Sequence, residues 1–237
     1  QIVMVTPPGK DGKVSPTTVV AAIEAGVTHI YKVGGAQAVA ALAFGTESVP
    51  KVNKIVGPGN IFVALAKRCV FGYVGLDSVA GPSEILVIAD DSANPAYVAA
   101  DLLSQAEHDE LASAVLITTS DELAVKVQAE VERQTNMLER KEIINKSLDN
   151  YGAIIVVDDI DTAVELCNNI APEHMEVMTE KPFDTLPKIK NAGEILLGDY
   201  TPVTLCNFVL GPNAILPTGG FAKTYSSVSV QDFLKRS

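Results

Sequence analysis

The chain has 237 residues, 47% of them apolar, and a formal net charge of −11. That length holds one large domain or two small ones, and the apolar share supports a substantial core. An acidic chain without a basic stripe argues against a nucleic-acid partner, and no run approaches the roughly 20 apolar residues of a membrane span.

The elements follow from pattern. Ile2–Val5 reads as a buried strand, stopped by Thr6-Pro7-Pro8-Gly9. Pro16 opens a helix that Gly26 ends. His29–Val33 is the next strand, and Gly34-Gly35 turns into the small-residue helix Ala36–Phe44. Lys54–Val56 is a short strand, and Gly57-Pro58-Gly59-Asn60 turns into the helix Ile61–Phe71. Three strand–turn–helix units in a row predict a parallel sheet. Glycines where a strand hands over to a helix let a ligand approach the backbone, and free N–H groups there favour an anion such as pyrophosphate. Neither turn is the full G-x-G-x-x-G fingerprint, and ordinary tight turns explain them equally well. Lys67-Arg68 reads as a solvated helix face rather than a phosphate clamp.

Ala80-Gly81-Pro82-Ser83 reads as a hinge between two halves, 1–83 and 84–237. The second half repeats the alternation. Strands are expected at Glu84–Ala89, Ala114–Thr118, Ala153–Val157, Met175–Met178 and Glu194–Leu197. Helices are expected at Asn94–Glu107, from Ser120 to about Gln134, at Glu139–Asp149, Ile160–Ile170 and Phe183–Asn191. The fold class is therefore α/β: two Rossmann-like halves with mostly parallel sheets and flanking helices. Asn207–Gly220 reads as an ordered loop, and Val228–Lys235 as a short helix or docking arm.

Two clusters carry chemistry. Gln105 and His108 lie three apart at a helix end, so an amide oxygen and an imidazole nitrogen aimed one way can share a divalent metal, zinc being the best match. Ala171-Pro172-Glu173-His174 sets a carboxylate beside an imidazole. Read alone, the first pair is also ordinary surface polarity and the second an ordinary turn. His29, entering a strand, reads as structural. Cys69, Cys167 and Cys206 are scattered without C-x-x-C spacing. A reducing, cytoplasmic compartment is expected, without a disulfide framework or a cysteine zinc site, and Cys206 reads as buried filler. The first residues lack a basic start and a cleavage site, so no secretory leader is expected. Opening inside a strand and closing on Lys235-Arg236-Ser237, the chain reads as part of a longer polypeptide.

Several stretches together resemble the histidinol dehydrogenase family. They are Val33-Gly34-Gly35-Ala36-Gln37-Ala38, the run from Ala41 to Val52, Val56-Gly57-Pro58-Gly59-Asn60, Ala80-Gly81-Pro82-Ser83-Glu84, Leu102–Asp109, Ala171–His174 and Leu216-Pro217-Thr218. The resemblance implies oxidation of L-histidinol to L-histidine through the aldehyde, with NAD and a bound zinc, in a homodimer. By motif it implies Gln105 and His108 as zinc ligands that also meet substrate, Glu173 and His174 as the acid/base pair with His174 touching substrate, Ser83 on substrate, and Gln37 and Asn60 on NAD. The chemistry suits these residue types. An imidazole takes an alcohol proton near neutrality, and a carboxylate raised by desolvation activates the water that hydrates an aldehyde.

Two positions depart from the family pattern. Cys206-Asn207-Phe208 stands where the family has Gly-Asp-Tyr, whose Asp is a zinc ligand. Asn207 in that metal and substrate position offers an uncharged oxygen and should hold zinc more weakly. Gly211-Pro212-Asn213-Ala214 stands where the family has Gly-Pro-Asn-His, whose His contacts substrate. A further zinc-binding His and a substrate-binding Glu belong to a C-terminal arm of the family that these residues do not include. Two other readings follow: a relative that oxidises another small polar alcohol, such as a sulfonated diol, or a catalytically silent homologue.

Overall fold

The computed structural model describes residues 1–78, 80–206, 208–210, 213–235 and 237. They form two compact units, Gln1–Gly81 with Asp232–Ser237, and Pro82–Gln231.

In the first unit the described strands make two parallel pairs. β1 (Val3–Val5) pairs with β2 (His29–Tyr31), and β3 (Lys54–Ile55) with β4 (Gly75–Leu76). β4 was not legible in sequence, because two residues carry no periodicity. The helices are α1 (Pro16–Glu24), α2 (Gly35–Phe44) and α3 (Ile61–Val70). Val39, Leu42 and Ala43 of α2 and Val70 of α3 close over Ile55 and Val49 as one apolar cluster. Lys54 Nζ donates to the Asp232 carbonyl at 2.7 Å, which ties the last residues to this unit.

The second unit is a five-stranded, all-parallel sheet in the order β7-β6-β5-β8-β9. The strands are β5 (Glu84–Ala89), β6 (Ser113–Thr118), β7 (Gly152–Val156), β8 (His174–Met178) and β9 (Glu194–Leu197). Its helices are α4 (Pro95–Ala106), α5 (Asp121–Thr135), α6 (Lys141–Tyr151), α7 (Ile160–Ile170), α8 (Pro182–Thr185) and α9 (Val203–Cys206). The central strand β5 is apolar on both faces, as a strand covered twice must be. Ile85, Val87 and Ala89 meet α4, α5 and α9, while Leu86 and Ile88 meet α7. Caps fix the helix starts: Asn94 Oδ1 accepts from Ala96 N–H, Ser120 Oγ from Leu123 N–H, and Asp159 Oδ1 from Thr162 N–H.

Two expected elements differ. The helix expected over Phe183–Asn191 is only the four-residue α8 followed by a 3-10 turn at Leu186–Lys188. Pro187 lacks the N–H an α-helix needs there. α4 stops at Ala106, so His108 lies beyond the helix; its N–H donates to the Gln105 carbonyl at 3.0 Å and keeps the two residues on one turn.

Candidate active site

The strand order reverses between β5 and β8, the switch point of the second sheet. Open α/β sheets usually bind ligands at the carboxyl ends of such strands. Here the chemistry-bearing residues gather at the amino ends. Ser83 and Glu84 lead into β5, Glu173 and His174 into β8, and Glu194 into β9. Gln105 closes α4, a helix that covers the same sheet.

α7 delivers the pair. Its C-cap Ala171 is fully buried and left-handed (φ 56, ψ 63), a strained backbone for a residue with a side chain. The strain lets the chain turn through Pro172 directly into β8. Gly193 backs the turn: its N–H donates to the Pro172 carbonyl at 3.0 Å, and Glu194 N–H donates to the Glu173 carbonyl at 3.0 Å. A Cβ on Gly193 would lie 2.5 Å from the Glu173 carbonyl oxygen and 3.2 Å from Pro217 Cδ. Backbone cannot swing aside as a flexible side chain does. Gly193→Ala should therefore cost about 1–3 kcal/mol of stability and displace Glu173, lowering turnover by about tenfold. Unchanged melting and turnover in the variant would show that the turn gives way without effect.

Register then builds the site. His174 is paired with Glu194 across β8 and β9, so the two side chains share a face. His174 Nδ1 lies 2.5 Å from Glu194 Oε1. His174 Nε2 lies 3.7 Å from Glu173 Oε2, which accepts the Glu84 N–H at 3.1 Å. His174, Glu173 and Glu194 are all buried. Burial pushes the Glu173 carboxyl up to about 7, against the pull of His174 and the Glu84 N–H. Burial also raises Glu84, whose Oε1 accepts the Gly219 N–H at 3.1 Å.

Next to this pair sits a buried acid pair. Glu176 lies two residues along β8, on the face of His174, and Asp101 comes from α4; both are buried. Burial, with Asp101 beside it, pushes Glu176 up to about 10. Neither Glu176 oxygen meets a donor among the described residues, and the polar neighbour to which it can donate as a neutral acid is Asp101. In the unfolded chain Glu176 ionises near its ordinary 4.5, but in the fold only near 10. Its contribution to stability is full below the lower value and is lost as pH rises toward the higher one. Glu176→Gln keeps the shape without the proton. Its melting temperature should overtake that of the parent by a margin that widens between about pH 5 and 9. A margin independent of pH would show that Glu176 does not titrate this way.

Cys206 is buried, as expected, and also adjoins this array. It lies on α9 with its ligating atom within 4.8 Å of those of His174 and Glu194, a cluster that does not include His108. Burial, with Glu194 beside it, pushes its thiol up to about 12. Gln105 is buried and His108 exposed, on the turn described above. Asn207 lies outside the described residues, and Ala214 is exposed.

In the first unit, Gln37 lies exposed in the first turn of α2 and Asn60 exposed at the N-cap of α3. Asn60 Oδ1 accepts the Phe62 and Val63 N–H groups, both at 3.1 Å. Those two donors are therefore spent on the cap, not left for an anion, and the Asn60 amide NH2 faces no competitor for a ligand among the described residues. α2 has no side-chain cap. A Cβ on Gly59 would lie 2.5 Å from Val63 Cγ1, and Gly35 takes φ +73 beside the Gln37 amide, so both turns need their glycines.

Glu84, Glu176, Glu194 and Asp101 were not singled out from sequence. The available signal was a carboxylate at the head of, or inside, an apolar strand, or for Asp101 among the apolar residues of α4, which a fold keeps only with a partner.

The fold recurs in a propionaldehyde dehydrogenase from Clostridium phytofermentans, with TM-score 0.51 over 86% of this chain and 59% of that one; at 14% identity the likeness speaks for the fold alone. A buried carboxylate beside an imidazole can take and give protons near neutrality. The histidinol dehydrogenase family model matches residues 1–237. A histidinol dehydrogenase of Caldanaerobacter subterraneus subsp. tengcongensis is 62% identical over 236 residues, covering 100% of this chain and 55% of that protein. The crystal structure of histidinol dehydrogenase from Elizabethkingia anophelis matches with TM-score 0.94 at 41% identity, over 98% of this chain and 53% of that one. The chain belongs to the histidinol dehydrogenase family. It spans about half the length of the curated relatives it matches.

Proposed function

We propose that the protein oxidises L-histidinol to L-histidine through the aldehyde, using NAD and zinc, as a cytoplasmic homodimer. The observation that carries this reading is the buried Glu173–His174–Glu194 array. Glu194 holds the Nδ1 proton of His174, which leaves Nε2 with its lone pair. Nε2 takes the alcohol proton as the carbinol carbon gives up hydride. Glu173 sits half-protonated near pH 7 and takes a proton from the water that adds to the aldehyde. Ser83, leading into β5 beside this array, orients the substrate. When bound, NAD is the hydride acceptor, and zinc supplies a positive charge that orients the alcohol.

Gln105 and His108 would hold the zinc. An amide oxygen and an imidazole on one turn are donors zinc accepts as part of a four-ligand shell, and Asn207 would add a further neutral oxygen. Gln37 and Asn60 would meet NAD, each at a glycine turn that leads from a strand into a helix.

A second reading is favoured by Asn207 and Ala214: the same engine acting on another small polar alcohol, a sulfonated diol among them. The test is NAD reduction by the full-length protein with zinc and L-histidinol, counting NADH per alcohol consumed. Two NADH per histidinol is the expected result. No NADH from histidinol, with a signal from other small alcohols, would replace the first reading by the second. No reduction of NAD by any alcohol would remove both.

A further inference from the structure

Lys67 was expected on a solvated helix face. It is instead among the most buried side chains of the first unit, 2% exposed, and its partner Asp77 is 7% exposed. Burying both members of an ion pair is a poor way to gain stability, because desolvation offsets most of the attraction. Such a pair calls for another reason, and its hydrogen bonds supply one. Lys67 Nζ bonds Asp77 Oδ1 and also donates to the Gly57 carbonyl at 3.0 Å. Asp77 Oδ2 accepts the Gly57 N–H at 2.7 Å, and its Oδ1 accepts the Ser78 N–H at 2.6 Å. Both backbone polar groups of Gly57 are therefore gripped by one charge pair, the carbonyl by the cation and the N–H by the anion.

Gly57 needs gripping. It follows β3 and takes φ +112, a conformation that only glycine adopts readily. No regular ladder reaches it: β3 ends at Ile55, and α3 begins at Ile61. Lys67 hangs from α3 itself, and Asp77 follows β4, the partner strand of β3. The pair thus fixes where the loop 57–60 leaves the strand and where it enters the helix, which sets the position of Asn60.

We infer that Lys67 and Asp77 are positioning residues that hold the loop 57–60 in the shape that presents Asn60 to the cofactor. The inference rests on the cofactor reading of Asn60 given above. It differs from a general structural role. A structural pair, once broken, lowers the amount of active protein. A positioning pair raises the NAD concentration needed while the alcohol side stays as it was.

The test uses three variants of the full-length protein. Lys67→Met with Asp77→Leu replaces the ion pair by an apolar pair, which removes the grip without leaving a lone buried charge. Asp77→Asn is the smaller change in shape, though it leaves Lys67 an amide oxygen in place of its anion, and it reports if the double one does not fold. Asn60→Ala tests the cofactor reading itself. NAD affinity is measured by titration with NAD alone, and KM for NAD and for the alcohol by steady-state kinetics. Amide hydrogen exchange over residues 56–63 reports the loop. In the double variant, NAD affinity should weaken by at least about tenfold, with KM for the alcohol little changed. Exchange in the loop should rise, and Asp77→Asn should move both readouts the same way to a smaller degree. NAD binding as in the parent, in whichever clamp variant folds, while Asn60→Ala binds weakly, would overturn the clamp and leave the cofactor reading intact. NAD binding as in the parent by Asn60→Ala would overturn the cofactor reading, and the clamp's role with it.

Discussion

Removing the His174 imidazole should lower turnover of the alcohol by at least about a hundredfold, the size of a lost general base. Alanine alone would not prove the point, because it also strands the buried Glu194 carboxylate. An unpaired buried charge costs stability by itself. His174→Asn separates the two effects. The asparagine NH2 takes the place of the Nδ1 donor and keeps Glu194 satisfied, but nothing replaces Nε2. His174→Asn is therefore expected to melt close to the parent and still lose turnover as deeply as His174→Ala. Turnover near that of the parent in a folded His174→Asn protein would take His174 out of the mechanism.

Replacing Glu173 by glutamine should remove an ionisation from the pH profile as well as slow the reaction. Burial pushes its carboxyl up to about 7. A base acts in its ionised form, so the oxidation of the aldehyde should speed up as pH rises through that value. Glu173→Gln should flatten that limb and slow the aldehyde step by about a hundredfold, while the alcohol step, which relies on His174, is affected less. Stability moves the other way. The raised carboxyl stabilises the fold fully below its ordinary 4.5, and this contribution is lost as pH rises through about 7. The glutamine variant should thus gain on the parent in melting temperature between about pH 5 and 7 and hold that margin above neutrality. The check is a pH series of kcat/KM with alcohol and with aldehyde as separate substrates. An unchanged limb in Glu173→Gln would assign the ionisation to another group.

The alternation of strands and helices was legible because each element is locally consistent. β5, α7 and β9 fall where periodicity and caps place them. The Glu173-His174 pair was legible because its residues adjoin in sequence. Glu194 was not, because it reaches His174 only through the β8–β9 register, twenty residues on. No local pattern states which strand lies beside which. Lys67 misled for a related reason. Next to Arg68 it looks like one more solvated cation, and only Asp77, brought near by the β3–β4 pairing, explains its burial. The short α8 was misjudged although Pro187 was in plain view as a helix breaker. The helix expected to reach Glu107 ends one residue earlier, with Glu107 as its cap, and His108 sits on the turn that follows.

The placement of the second unit's site at the amino edge of a parallel sheet has an electrostatic consequence. The helices of such a sheet run opposite to its strands, so their carboxyl-terminal ends point to this edge. α4 finishes there at Ala106, and α7 at Ile170, immediately before Pro172 and Glu173. Each such end carries about half a negative charge. These ends add to Glu84, Glu173 and Glu194, so this edge is a sink for positive charge. A protonated amine on the substrate, or a divalent cation, is drawn into that field, while a sulfonate or carboxylate has to enter against it. On the proposed reading, the charge of this edge would thus favour an amino alcohol over an anionic one, whatever Asn207 and Ala214 have given up.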